Sequence, residues 1–418
     1  MSQEHERKLS RRNFLQSSLA AAAVSSAVVK PRPSAAAIPD GPLLRAGLVG
    51  CGGRGTGAAR DIVKGAPNVK ITALADVFQD RLNRARTTLE KEGQNVPDDH
   101  CFVGFDGYKK LIASDVDVVL LATPPHFRPA HFAAAVDARK HVFMEKPVAV
   151  DPVGIRSIIA SGEKAKTLGL SVVAGTQRRH SPDYLEVRKR IADGAIGKIV
   201  AARAYWNQGQ LWYRERDPKW SDMEWMIRDW VNWAWLSGDH IVEQHVHNLD
   251  VINWFTDSHP VKAVGMGGRA RRVTGDQFDF FDVDFEFADG MHLHSLCRQI
   301  NGCKDNVSEY IVGTKGSTNC ANKILDLNGT PVWSYEGPKP SPYVQEHTDL
   351  VAAIRAGKPI NEARNVAEST LVAIMGRISA YTGKEVTWDE LMKSDLCLGP
   401  TEYALGPMPI GKAPVPGA

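Results

Sequence analysis

The chain has 418 residues, 43% hydrophobic and 24% charged, a length too great for one ordinary core and a composition typical of a soluble globular protein of two domains. Residues 1–37 hold six Lys/Arg and two Asp/Glu; the remainder carries 45 basic against 46 acidic residues, which argues against the basic face a nucleic-acid partner requires. No fixed-period repeat runs through the chain, which argues against a solenoid or propeller.

At the amino terminus, Ser10-Arg11-Arg12-Asn13-Phe14-Leu15 precedes an Ala-rich apolar run from Ser17 to Val29, and Ala35-Ala36-Ala37 fits small-residue cleavage. Charged region, apolar region and cleavage site stand in signal-peptide order. The paired arginines with Phe and Leu resemble a twin-arginine export signal. This predicts engagement of the twin-arginine export machinery, cleavage near Ala37 and a periplasmic or secreted mature protein. The competing reading is an uncleaved, disordered Ala-rich tail. No later run reaches about 18 consecutive apolar residues, so no transmembrane helix and no membrane association after processing are expected. Six cysteines (51, 101, 297, 303, 320 and 397) show no C-x-x-C spacing; their pairing stays open, with Cys297 and Cys303 the one local candidate.

After a linker over residues 38–43, the stretch from Leu44 to Asp76 organises the first half. An apolar run, Ala46 to Val49, meets a glycine turn, Gly50-Cys51-Gly52-Gly53-Arg54-Gly55. A helix-compatible segment, Thr56 to Lys64, and a second apolar run, Val69 to Ala75, lead to Asp76. That is a β-turn-α-β unit with the spacing of a dinucleotide fingerprint. Gly50 permits the tight turn, Gly52 lets backbone approach a pyrophosphate, and Gly55 lets helix pack on strand. Gly53 and Arg54 lie in the same turn, where the helix N-terminus holds phosphates. Asp76, twenty-one residues after Gly55, is placed to accept hydrogen bonds from adenosine ribose hydroxyls and would repel a 2′-phosphate, which favours NAD over NADP.

Strand and helix keep alternating. Asp115 to Thr123 reads as a buried parallel strand. It ends in Thr123-Pro124-Pro125-His126, where such strands present loops to a ligand, so Thr123, Pro124 and His126 are cofactor-side candidates. A helix from Pro129 to Ala138 follows. A strand over His141–Met144 ends in Glu145-Lys146-Pro147, and a helix over Pro152–Leu168 leads to a strand over Ser171–Gly175. Together these predict a doubly wound parallel sheet. Lys146 taken alone is either an exposed strand-end lysine or, beside a cofactor, a charge able to stabilise a developing alkoxide.

The motifs Gly50-x-Gly52-x-Arg54-Gly55, Ala122-Thr123-Pro124 and Glu145-Lys146-Pro147 recur here in a distinctive order. With Gly194-Ala195-Ile196-Gly197-Lys198 and Gly313-Thr314-Lys315-Gly316, they resemble the Gfo/Idh/MocA oxidoreductases, which include glucose–fructose oxidoreductase and inositol dehydrogenase. The resemblance spans most of the mature chain. It implies an α/β fold class: a Rossmann domain over 44–176, then a domain over 177–398 with a large, mostly antiparallel sheet. In relatives that sheet often serves for oligomerisation, which implies a homo-oligomer. The resemblance also implies Lys146 next to the substrate hydroxyl, Glu145 on the nicotinamide side and Arg179 near the substrate. For Arg179 a salt bridge at the domain junction is the alternative. Where relatives often carry a second His after Thr123-Pro124, this chain has Arg128.

Residues 206–235 hold seven of the ten tryptophans, so this stretch, read as an insertion over 206–237, needs its own explanation. One reading is a satellite core. The other is a sugar platform, indole faces packing on a pyranose while charged groups bond its hydroxyls, with Trp206 and Trp235 as substrate-side candidates. Both can hold for different tryptophans. From Gly238 to Trp254 the apolar positions Ile241, Val242, Val246, Leu249 and Ile252 repeat with helical period, which predicts one helix with His240, Glu243 and His247 on one face. Family members often have Asp-x-x-x-His here, with the His as acid/base; by position that implies Glu243 and His247. His247 suits proton transfer near neutral pH, with Glu243 one turn earlier to orient it, and His245 is a further substrate-side candidate. A metal held by His240, Glu243 and His247 is the competing reading; no fourth ligand stands out and no metal is expected. Phe280 to Phe287 and Met291 to Cys297 read as strands about an Asp289-Gly290 turn. Val344 to Ala356 and Ala363 to Tyr381 read as helices between the domains, and 399–418 as an irregular tail.

The combined expectation is an exported NAD-dependent oxidoreductase acting on a sugar or sugar derivative with a tightly held cofactor, since no obvious pool of NAD exists outside the cytoplasm. A redox-neutral glycoside hydrolase or lyase working through a transient keto-sugar is the second expectation. A sugar-binding protein with a vestigial cofactor domain is the third.

Overall fold

The computed structural model describes residues 40–417, so the export-signal reading of residues 1–37 lies outside the described residues. The first half alternates strand and helix: β1 (Leu44–Val49), α1 (Gly53–Gly65), β2 (Val69–Asp76), α2 (Gln79–Glu90), β3 (Cys101–Val103), α3 (Gly107–Ala113), β4 (Val118–Leu121), α4 (Arg128–Asp137), β5 (His141–Met144), α5 (Pro152–Thr167) and β6 (Val172–Ala174). The six strands are parallel in the order β3-β2-β1-β4-β5-β6. The order reverses between β1 and β4, which opens a crevice at their carboxyl ends. All of β4 is buried, so its sequence is an unbroken apolar run rather than an alternating one.

Glycine is required at two points of the first turn. Gly50 has φ +97°, and a Cβ there would stand 2.7 Å from the Ala122 carbonyl carbon. A Cβ on Gly55 would stand 1.9 Å from the Gly50 carbonyl oxygen, so α1 reaches the sheet only with glycine there.

The second half runs α6 (Pro182–Ala192), β7 (Ile199–Gln208), α7 (Asp222–Arg228), α8 (Ala234–Ser237), α9 (His240–Glu243), α10 (Val246–Thr256), β8 (Pro260–Gly268), β9 (Phe280–Phe287), β10 (His292–Gln299) and β11 (Asn306–Gly313). The short strands β12 (Ser317–Thr318), β13 (Lys323–Leu325) and β14 (Pro331–Ser334) follow. The chain closes with α11 (Pro342–Arg355), α12 (Ala363–Thr382), β15 (Val386–Thr387) and α13 (Trp388–Lys393). The second sheet has nine strands in the order β14-β13-β12-β11-β7-β10-β9-β8-β15. Only β7 and β10 pair parallel; the other neighbours are antiparallel. On β9, Phe281, Val283, Phe285 and Phe287 are buried while alternate residues face outward, as period two requires. Helix α11 packs on α1, and α12 packs on both α5 and β8, so the last helices return to the first sheet and one core runs between the two.

One expectation changes and another gains detail. The predicted continuous helix over 238–254 is broken at Gln244 and His245 into α9 and α10. The tail beyond residue 399 has no regular element among the described residues, yet it is packed: Leu398 and Met408 join a second core made of Phe78, Phe127, Met223, Met226, Ile227, Trp233, Trp235 and Leu236. The satellite-core reading therefore accounts for Trp225, Trp230, Trp233 and Trp235, whereas Trp206 lies in β7 opposite Cys297 and Val307. All six cysteines are unpaired, with Cys297 buried and Cys303 exposed. Among the described residues no helix is long and apolar enough to cross a membrane.

Candidate active site

At the switch point, a cleft of about 740 Å³ is bounded by Gly50 and Gly52 of the turn, Asp76 at the end of β2, Arg81 on α2, and Thr123 and Pro124 beyond β4. The Asp76 carboxylate accepts hydrogen bonds from the Cys51 and Phe78 backbone N–H groups at 2.7 and 2.9 Å. These clamp the turn and leave each oxygen a second lone pair. The cradle fits a dinucleotide. A Cβ on Gly52 would meet only the Arg81 guanidinium, at 4.0 Å, so the backbone there is open to a phosphate. Arg54 reaches from α1 to Glu145, at 2.6 Å, and joins the phosphate turn to the Glu-Lys-Pro segment.

Lys146 follows β5. Its ammonium donates to the Glu243 carbonyl oxygen at 2.5 Å and to the Glu243 carboxylate at 3.1 Å. Three donors on the ammonium leave one for a substrate oxygen. The other Glu243 oxygen takes the Gln244 side-chain amide. Glu243 thus positions Lys146 rather than orienting His247, because the break at Gln244 removes the helical register that would have stacked the two. His247, on α10, is buried and packs on the Trp206 ring at 5.6 Å and 21°. Arg178 stands over Trp206 and bonds Asn248 and Glu309. Asn248 in turn donates to the Tyr205 and Ser308 carbonyl oxygens, which pins α10 to β7 and β11.

Several candidate residues stand elsewhere. Arg179 does not face this cluster: it makes three hydrogen bonds of 2.8–3.2 Å to Asp250, the junction salt bridge that was its alternative. The adjacent Arg178 is the one that stands beside Trp206 and His247. His245 is fully buried against Ser295 at 2.8 Å, and burial drives its pKa to about 3, so it offers nothing to a substrate. Trp235 is held in the second core beside His126 and Phe127. His126 bonds the Tyr403 hydroxyl at 2.6 Å, and the cleft is lined instead by Phe127 and His131. His131, three residues after Arg128, bonds Thr123 at 3.3 Å. Arg128 is buried and donates to the Leu121 and Pro147 carbonyl oxygens, so it braces the ends of β4 and β5. His240 is buried edge-on to Phe281, and among the described residues no three His, Cys, Asp or Glu side chains gather as metal ligands, so His240, Glu243 and His247 do not form such a site.

Burial first, then the charges of Lys146 and Arg178, hold the His247 pKa well below the ordinary imidazole value. Its neutral form, the one that can take a proton, therefore persists into mildly acid solution. Proton uptake fails only as pH falls through the lowered value. The acid limb of kcat/KM for alcohol oxidation is accordingly expected below about pH 6.5, the unperturbed imidazole value. A limb at or above that value, absent in His247→Ala, would contradict the assignment.

A family model described as the Gfo/Idh/MocA oxidoreductase family with an NAD-binding Rossmann fold matches residues 44–173, and one described as the GFO/IDH/MocA C-terminal domain matches residues 184–319. Inositol 2-dehydrogenase of Rubrobacter xylanophilus is 26% identical over 66% of this chain and 71% of its own length. Inositol 2-dehydrogenase/D-chiro-inositol 3-dehydrogenase of Halalkalibacterium halodurans is 28% identical over 51% of this chain and 53% of its own, so the chain spans about half of that relative. The crystal structure of scyllo-inositol dehydrogenase from Lactobacillus casei with bound NAD(H) and scyllo-inositol shares the fold, with TM-score 0.63 and 20% identity over 82% of this chain and 99% of that one.

Proposed function

The chain belongs to the Gfo/Idh/MocA oxidoreductase family, and on that premise we propose that it is an NAD-dependent oxidoreductase acting on a hydroxyl carbon of a sugar or cyclic polyol. The observation that carries this is the grouping of Lys146 with an uncharged His247 beside Trp206, one strand along the sheet from the dinucleotide cradle. A nicotinamide held there supplies the hydride acceptor. His247 takes the hydroxyl proton, and the free Lys146 N–H stabilises negative charge growing on the same oxygen. Glu243 holds the ammonium in place, and Trp206 offers an apolar face to the ring carbons of the substrate.

The names of the relatives support inositols and related polyols as the substrate class. Asp76 supports NAD over NADP, since its carboxylate would repel a 2′-phosphate. The order of charged, apolar and cleavage segments in residues 1–37 supports export to the periplasm or beyond, and the nine-stranded sheet supports a homo-oligomer.

The test is purified protein mixed with NAD or NADP and a panel of inositols and aldoses, followed at the reduced-nicotinamide absorbance. Reduction of NAD by at least one of these compounds is expected, with NADP reduced more slowly. Binding of neither dinucleotide, or no reduction with any compound of the panel, would remove this reading.

A further inference from the structure

The cleft that takes the adenosine end of the cofactor is not bounded by the first domain alone. Ile227 and Trp230, from the tryptophan-rich insertion, line it opposite Asp76 and Arg81. Arg228, between them, is anchored across the gap. Its guanidinium bonds both Asp80 carboxylate oxygens at 2.9 and 3.3 Å and lies 3.9 Å from the Phe78 ring centroid.

The tail then crosses over the insertion. The Met223 N–H donates to the Gly406 carbonyl oxygen at 3.1 Å, and the Met408 N–H donates to Asp222 at 3.2 Å. Tyr403 packs on Phe105 and Phe127, at 5.8 and 5.4 Å, while its hydroxyl bonds His126. Further back, the Leu398 N–H donates to Asp151, which fixes the start of the tail to the first domain.

The geometry points to a clasp: the insertion supplies part of the wall of the dinucleotide site, and the carboxyl-terminal tail straps that wall to the first domain. The inference rests on the cofactor reading above and goes beyond it. Dinucleotide leaving by its adenosine end requires the Arg228–Asp80 fork, the Tyr403–His126 bond and the packed Met and Trp side chains to separate together. That makes escape much slower than from an open crevice.

The full chain, loaded with NAD and desalted, is mixed with excess fluorescent etheno-NAD, and exchange is timed. Bound dinucleotide is counted separately after acid denaturation. Release from Arg228→Ala is expected to be at least tenfold faster than from the unaltered chain, with a smaller acceleration in Tyr403→Phe. Circular dichroism confirms that both are folded. Should Arg228→Ala not fold, Tyr403→Phe, which keeps the ring, carries the comparison alone. Equal release from the unaltered chain and the folded variants overturns the clasp but leaves the oxidoreductase reading intact, provided NAD is bound and reduced. No dinucleotide bound by any form overturns both.

Discussion

Replacing His247 by alanine is expected to lower kcat/KM for polyol oxidation by about 10²–10⁴-fold, the contribution of a positioned general base, while NAD still binds. The side chain is buried beside two cations, which keeps it uncharged and able to accept the hydroxyl proton. Lys146→Ala is expected to cost on the order of 10²–10³-fold, as when a donor to a developing oxyanion is removed. Both variants leave the glycine turn and Asp76 untouched. NAD titration followed by tryptophan fluorescence should therefore give affinities close to that of the unaltered chain. Glu243→Gln provides the finer distinction: if Glu243 positions Lys146 and not His247, the acid limb set by His247 should stay in place while the rate falls. Near-full activity of both alanine variants would sink the catalytic assignment.

The second large effect concerns stability. Asp250→Ala is expected to destabilise the protein by about 3–5 kcal/mol, because it leaves the Arg179 guanidinium buried without its partner. The Asp250 carboxylate is 2% exposed, and besides three bonds from Arg179 it accepts one from the Ser369 hydroxyl at 2.8 Å. It thereby ties the junction after β6, helix α10 and helix α12 to one another. The double change Arg179→Met with Asp250→Leu should recover much of the loss, since an apolar pair of similar volume needs no desolvated charge. Urea unfolding with an unchanged m-value is the measurement. A loss under 1 kcal/mol for Asp250→Ala would show that water reaches the pair.

The parts of this fold set by short-range sterics were legible from residue order. Gly50 and Gly55 occupy positions where a Cβ would strike the backbone, so the turn and its helix are written in the local sequence. The apolar run of β4 and the alternation of β9 likewise declared a buried parallel strand and a half-covered antiparallel one. Lys146 and His247 were legible by their motifs.

Other assignments depended on partners far along the chain. Arg178 and Arg179 are indistinguishable as neighbours in sequence, yet the turn over Gln177–His180 sends one to Glu309 and the other to Asp250. His126 looked like a cofactor contact, but its hydrogen-bond partner, Tyr403, lies 277 residues later in a tail with no pattern of its own. The break at Gln244 was hidden by an apolar repeat that both α9 and α10 satisfy separately. Backbone sterics and period act over a few residues, so the sequence by itself determined the nucleotide turn and the parallel strands that follow it, and named Lys146 and His247 as the candidate pair. Which long side chain meets which buried charge, and which strap covers the cleft, depends on surfaces that exist only after packing, so the tertiary structure decided those.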